Sequence, residues 1–320
     1  MFRLNVIRKV LFFIIIIAPM NLFGQDYLLN PEGTWITSPL WYNPAISGSV
    51  DYHPLNITYA TGDNFEAFTL NGHARLAKKV EGYQNIPDHF SYRNTGIGYH
   101  LFRRSTDKIE STGFKATASY HFGFKKSSSS FLSVGLSIQG SRNILTKVPD
   151  IEVPDSTIRE TTYDPNIDLG IYYYSPTLYM GLSSTGIIEG MPKHDSLVNY
   201  HETRHYHFIT GYKFVLYRPL NLLIEPSVIF SISDSTIDDA INHIYPMVKI
   251  YLDDFCFGTY FYDRDKISVF FRYNYPGFYI GAFLAVSRKS PYYKKVPSLE
   301  LSAGINLSYS KSRQYKRFHW

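Results

Sequence analysis

The densest collection of potentially reactive side chains in this sequence is YHETRHYH, residues 200–207. His201, Glu202, His205 and His207 offer imidazole nitrogens and a carboxylate, the donor types that hold zinc and its neighbours. Their spacing weakens that reading. The surrounding pattern alternates, and His205 and His207, two apart, then share one face of a strand as lumen or rim residues. No metal site is assigned.

Other motif-like stretches fall short of the chemistry they suggest. GLSIQ (135–139) and GLSST (181–185) lack the final glycine of G-x-S-x-G and sit in strand-like sequence rather than on a strand-to-helix turn. GIGYHL (96–101) lacks the third glycine of a dinucleotide loop and leads into no helix. Asp238-Asp239 and Asp253-Asp254 lie near strand ends without the oxygen-rich spacing of a calcium loop. Lys115, Glu225, Arg272 and Glu300 are different: each falls on the small or polar face of an alternating segment. Such charges either line a selective channel or form ion pairs in a blocked interior, and the second reading is the one adopted. With no nucleophile beside a base and no cofactor cradle, the sequence points to a non-enzymatic protein with no catalytic or cofactor-binding residues.

These residues are positioned by an exported chain. Arg3, Arg8 and Lys9 precede the apolar run Val10–Ala18, and Gly24 follows, so residues 1–24 read as a signal peptide. Three of the positive charges behind the net +5 belong to this leader, which leaves 5 − 3 = +2 for the remainder. That balance, with basic residues scattered along the chain, argues against nucleic acid as a partner. The single cysteine, Cys256, rules out an intramolecular disulfide.

Aromatic residues make up 17% of the chain, with 28 Tyr and 23 Phe, a composition suited to strands. Period-2 alternation is clear in 112–124, where Phe114, Ala116, Ala118, Tyr120 and Phe122 oppose Lys115, Thr117, Ser119 and His121. It recurs over 131–141 and 299–308. Strands are expected near 54–62, 65–77, 92–104, 110–125, 130–144, 163–175, 177–187, 203–217, 220–233, 240–251, 254–263, 265–275, 277–287 and 297–311, about 14 in all. A soluble sandwich would have to bury their polar faces, whereas a barrel turns its apolar face to lipid and its polar face to a lumen. The fold class is therefore all-β: a transmembrane antiparallel β-barrel of about 14 strands with an N-terminal plug-like segment. Short connections follow most even-numbered strands, which places that rim in the periplasm; GDN (62–64) and the long 78–91 break the rule. The implied division is a signal peptide (1–24), a plug or hatch (25–53), an outer-membrane barrel (54–311) and a C-terminal tail (312–320).

Several stretches resemble one family in order and spacing. SPLWYNPAISGS (38–49) is similar to an N-terminal aromatic-Asn-Pro-Ala segment, LNGHARL (70–76) to a second strand, DPNIDLGIYYYSPTLYMGLSS (164–184) to a central strand pair, and RHYHFITGYKFVL (204–216) with IEPSVIF (224–230) to the next pair. Together they resemble the PorP/SprF family of Bacteroidota outer-membrane proteins, associated with type IX secretion and gliding motility. The chain departs from that pattern at GTWITSPLW and ITYATGDNF. The resemblance implies a secretion component in the cell outer membrane that presents or anchors secreted surface proteins carrying a type IX C-terminal domain. It also implies contact with periplasmic secretion-ring components. The alternative is a FadL-like passive transporter of hydrophobic small molecules, because the Asn-Pro-Ala element also resembles that group's N-terminal hatch.

The Asn-Pro-Ala stretch itself is read as the plug. Pro39 and Pro44 interrupt regular structure, Gly48 permits a tight reversal, Trp41 and Tyr42 serve as packing anchors, and Asn43 is a hydrogen-bonding turn residue.

Overall fold

The structure is a computed structural model that describes residues 34–50, 52–62, 65–76, 94–106, 109–124, 130–147, 158–188, 204–233, 243–263, 266–275, 277–287 and 298–307. The expected signal peptide, His201, Glu202, Asp238-Asp239 and the tail lie outside these residues.

Fourteen strands form one antiparallel sheet that closes on itself. They are β1 (His53–Gly62), β2 (Phe65–Arg75), β3 (Thr95–Thr106), β4 (Ile109–Gly123), β5 (Phe131–Lys147), β6 (Ile158–Tyr174) and β7 (Leu178–Thr185) in the first half. In the second half are β8 (His205–Tyr212, continued by Phe214–Tyr217), β9 (Leu222–Ser233), β10 (Ile244–Leu252), β11 (Phe255–Asp263), β12 (Lys266–Tyr275), β13 (Phe278–Ser287) and β14 (Ser298–Leu307). Each strand pairs with its neighbours in sequence, and β14 returns to β1 in a continuous register from His53↔Leu307 to Thr61↔Leu299. Closure leaves no sheet edge within the wall, as lipid requires.

Alternation decides which face is which. Along β4, Phe114 and Phe122 are exposed while Lys115, Thr117, Ser119 and His121 are buried. Along β5, Val134, Leu136 and Ile138 are exposed while Ser133, Ser137 and Gln139 are buried. On these strands the apolar side chains point outward and the polar ones inward, the arrangement of a lipid-embedded barrel, while in the second half Ile209, Ile229, Met247, Phe270 and Phe283 add an apolar cluster to the interior.

Both ends of the sheet, His53 and Leu307, lie on one rim, together with the tight reversals after β6, β8, β10 and β12. Asn221 and Asp253 take positive φ there (46° and 51°), a conformation that short polar side chains tolerate. Two elements differ from expectation. The eighth strand is interrupted at Lys213, whose side chain is drawn into the interior toward Glu225. β5 and β6 continue to Lys147 and Ile158, well into what reads as a long connection in the sequence. RETT (159–162) carries no apolar alternation that would reveal a strand.

Leu136, exposed on the outward face of β5, tests this orientation. Leu136→Arg is expected to lower unfolding stability in lipid by about 2–4 kcal/mol. Denaturant titration in bilayers measures it, and an unchanged midpoint would contradict the assignment of faces.

Candidate functional site

The interior of the barrel is organised around residues 34–50. Thr34–Thr37 form one helical turn, and Pro39–Trp41 and Pro44–Ile46 form two 3-10 turns, each opened by a proline whose fixed φ suits a first helical position. Asn43 caps the second turn, its Oδ1 accepting from the Ala45 N–H at 2.9 Å. Gly48 has φ +73°, which turns the chain from this segment toward β1. Leu40, Trp41, Tyr42, Asn43, Ala45 and Ile46 are all buried.

Inward side chains of the wall bind the backbone of this segment. Lys115 donates to the Trp41 carbonyl at 2.8 Å, Ser133 to Ala45 at 2.6 Å and Ser119 to Ser47 at 2.5 Å. His121 Nε2 also meets the Ser47 carbonyl, at 2.8 Å, and Arg75 donates to the Gly48 carbonyl at 2.9 Å. The Gly48 N–H donates to His73 at 3.0 Å, Ser38 pairs with His100 at 3.1 Å, and Thr37 donates to Glu300 at 2.9 Å. Carbonyls and an amide buried away from water thus find partners on β2, β4 and β5, and the Ser38 and Thr37 hydroxyls find theirs on β3 and β14, which removes the desolvation cost of leaving them bare.

Close approach depends on missing side chains. Gly96, Ser119, Gly135, Gly170 and Ser183 are register neighbours across β3–β7, so they form a shallow track on the inner wall. A Cβ at Gly135 would collide with the backbone of Pro44 and Ala45, and one at Gly170 with Asn43 Oδ1. On Gly181, one row away, it would meet Asn43 Nδ2. Freed of those side chains, the Asn43 amide donates to the Ile171 carbonyl at 3.1 Å and reaches the Leu182 carbonyl at 3.4 Å, joining β6 to β7.

Aromatic rings fill the rest of this contact. Trp35 stacks on Tyr42 with centroids 3.5 Å apart and planes 4° from parallel, and His207 meets both rings edge-on. Trp41 faces Phe102 edge-on, with the Arg104 guanidinium carbon 4.2 Å and Lys115 Nζ 4.1 Å from its centroid. Each such cation–π contact is worth about 0.5–2 kcal/mol, more as it is desolvated.

The four charges singled out in the sequence have separate places. Lys115 pairs with Asp168 at 2.6 Å, and that carboxylate also accepts from Ser137 and from the Gly186 N–H. Glu225 is fully buried and accepts from Lys249, Tyr179 and Tyr251 at 2.8–2.9 Å, with Lys213 at 3.8 Å. Arg272 lies over the Tyr279 ring, 3.8 Å from its centroid, and Glu300 accepts from Thr37. The arrangement joins Lys115 and Glu300 to the N-terminal segment and leaves Glu225 as the centre of its own network.

His207 is committed to Ser231 (2.6 Å) and Thr185 (3.1 Å), and His205 stacks beside it. Among the described residues no group of three His, Cys, Asp or Glu side chains could hold a metal ion. Sequence reasoning missed Trp35, Arg75, Asp168 and Lys249. Trp35 lay in view three residues ahead of SPLW, whereas Asp168 and Lys249 are identified only by register.

A family described as type IX secretion system membrane protein PorP/SprF matches residues 33–311. The chain belongs to the PorP/SprF family. This PorP/SprF-family barrel is thus a membrane component of the type IX secretion system, located in the outer membrane. No curated protein matches the chain. Among solved structures it is similar to outer membrane protein Omp33 of Acinetobacter baumannii, at 10% identity over 80% of this chain and 98% of that one, with TM-score 0.44. It is also similar to a FadL homologue of Pseudomonas aeruginosa, at 10% identity over 90% and 100%, with TM-score 0.45. A third likeness is to the translocator domain of autotransporter NalP from Neisseria meningitidis, at 9% identity over 80% and 87%, with TM-score 0.39.

Removing one member of the Lys115–Asp168 pair leaves a buried charge alone. Lys115→Met is expected to cost about 3–5 kcal/mol, and Lys115→Met with Asp168→Leu to recover much of it. A double-mutant cycle on unfolding measures this; additive losses would show that the two groups do not interact.

Proposed function

We propose that this PorP/SprF-family barrel is a sealed, non-enzymatic scaffold of the secretion system. In this reading residues 25–53 act as a plug or hatch, with Trp41, Tyr42, Asn43, Pro44 and Gly48 holding its shape and Lys115 and Glu300 securing it. Glu225 and Arg272 brace the other side of the interior. The observation that carries the reading is the clasp on residues 34–50: charged and hydroxyl side chains from neighbouring strands converge on its backbone.

A sealed barrel acts through its rims. The rim with the longer connections would present or anchor secreted surface proteins, adhesin-like cargo carrying a type IX C-terminal domain, and the short-turn rim would meet periplasmic secretion-ring components. The outer face needs only outer-membrane lipid as a partner. The FadL-like alternative requires a continuous apolar path, and it is disfavoured by an inner face that carries the Lys115–Asp168 and Lys249–Glu225 ion pairs.

Deleting the gene is expected to abolish secretion of at least one surface protein while leaving uptake of hydrophobic compounds unchanged. Normal secretion of every surface protein would contradict the scaffold, and impaired uptake with intact secretion would favour the transporter. In planar bilayers, removing residues 25–50 is expected to raise single-channel conductance above that of the intact barrel. Equal conductance would contradict a plug.

A further inference from the structure

LNGHARL (70–76) sends two side chains into the interior, His73 and Arg75, two apart on one face of β2. Both reach the same residue. The Gly48 N–H donates to His73 Nδ1 at 3.0 Å, and Arg75 Nε donates to the Gly48 carbonyl at 2.9 Å. Gly48 is where residues 34–50 turn toward β1, with φ +73°, and a Cβ there would lie 2.8 Å from the Gly96 backbone. The turn therefore depends on two grips, one on each side of a residue that leaves no room for a side chain of its own.

The two grips respond differently to acid. A guanidinium donates at every physiological pH, whereas an imidazole nitrogen accepts only while it carries no proton. With a proton on Nδ1, His73 would turn one N–H against another, and the Gly48 amide would lose its partner. Arg75 on β2, His53 on β1 and His121 on β4 lie within electrostatic reach of this site. His121 donates through Nε2 to the Ser47 carbonyl, and its Nδ1 meets the hydroxyl of Tyr174 on β6, which also accepts from Arg75. A charge on His73 thus arises beside a fixed cation and near two rings that gain charge in the same direction. His73 is half-buried, so water can deliver the proton.

We propose that His73 is an acid-sensitive latch on the plug: on taking up a proton it lets go of the Gly48 N–H and loosens the turn that ties residues 34–50 to β1. The inference rests on the plug reading and names the condition under which the plug yields. Closed, the latch accommodates only the neutral ring; open, the ring titrates as a free histidine does, near about 6.5. Closure is therefore complete above that pH and weakens as the pH falls through it, by about tenfold between about pH 7.5 and 5.5. Ordinary carboxylates stay ionised over that interval, so it isolates the histidines.

Hydrogen–deuterium exchange of the full barrel in lipid reads the latch at the Gly48 amide, with exchange times scaled for the intrinsic effect of pH and β4 as internal reference. Protection over residues 47–49 is expected to fall about tenfold from about pH 7.5 to 5.5 while that of β4 holds. His73→Asn places near Nδ1 an amide oxygen that accepts without titrating, so the fall is expected to disappear; heat-modifiable migration on gels shows that the variant has folded. His121→Gln is expected to keep the fall, because the Gly48 N–H bonds to His73 and not to that ring. High and equal protection at both pH values in the unsubstituted protein would overturn the latch and leave the plug standing. A fall that His73→Asn keeps and His121→Gln removes would overturn it too. Residues 47–49 unprotected at both pH values would overturn plug and latch together.

Discussion

In hydrocarbon, every backbone N–H and C=O of a spanning segment has to find its partner within the protein, and this requirement shapes the rest of the molecule. The register of β14 on β1 meets it by closing the sheet. Closure fixes which side chains face lipid and which face inward. On β5 the inward residues Ser133, Gly135 and Ser137 are small, and the inner wall there is covered by further material. Residues 34–50 supply it on the side of β2–β8.

The same rule that governs the wall operates again inside. A segment without regular sheet pairing brings its own carbonyls and amides into the barrel, and these meet Lys115, Ser119, His121, Ser133, Arg75 and His73. Lys115 serves two purposes, neutralising Asp168 while holding the Trp41 carbonyl. The glycines of β5, β6 and β7 supply what side chains cannot, namely room for Pro44, Ala45 and the Asn43 amide. Polar grip from β2, β4 and β5 and steric vacancy on β5, β6 and β7 thus adjoin on the wall and overlap at β5. A swollen residue at Gly135 would disturb the segment at Pro44–Ala45, and a lost charge at Lys115 would disturb it at Trp41.

Much of the wall was legible in the sequence because lipid imposes a period-2 pattern, as in 112–124 and 131–141. The pattern fades where the constraint does. RETT (159–162) has no apolar face, so the end of β6 read as part of the connection 145–162. Lys213, where β8 is interrupted, lies 3.8 Å from Glu225, a partner visible only once the strands are in register. Asp168 and Lys249 were hidden for the same reason: register, not sequence distance, brings each to its partner. Gly96 and Gly135 stood out only within motifs that fall short, GIGYHL and GLSIQ, and the arrangement of three successive strand pairings turns them, with Gly170, into a track. SPLWYNPAISGS was conspicuous for its aromatics and prolines, whereas the carbonyl contacts that hold it belong to the wall.

The central claim is that residues 34–50 belong to the folded interior. Backbone amides from Trp41 to Asn43 and from Ala45 to Ser49 are all hydrogen-bonded, within the turns or to His73. Hydrogen–deuterium exchange of the intact barrel in lipid, resolved over this segment, tests that directly. The account predicts protection of residues 41–49 comparable to that of β4 and β5. Complete exchange of those amides within seconds, while the strands stay protected, would contradict it.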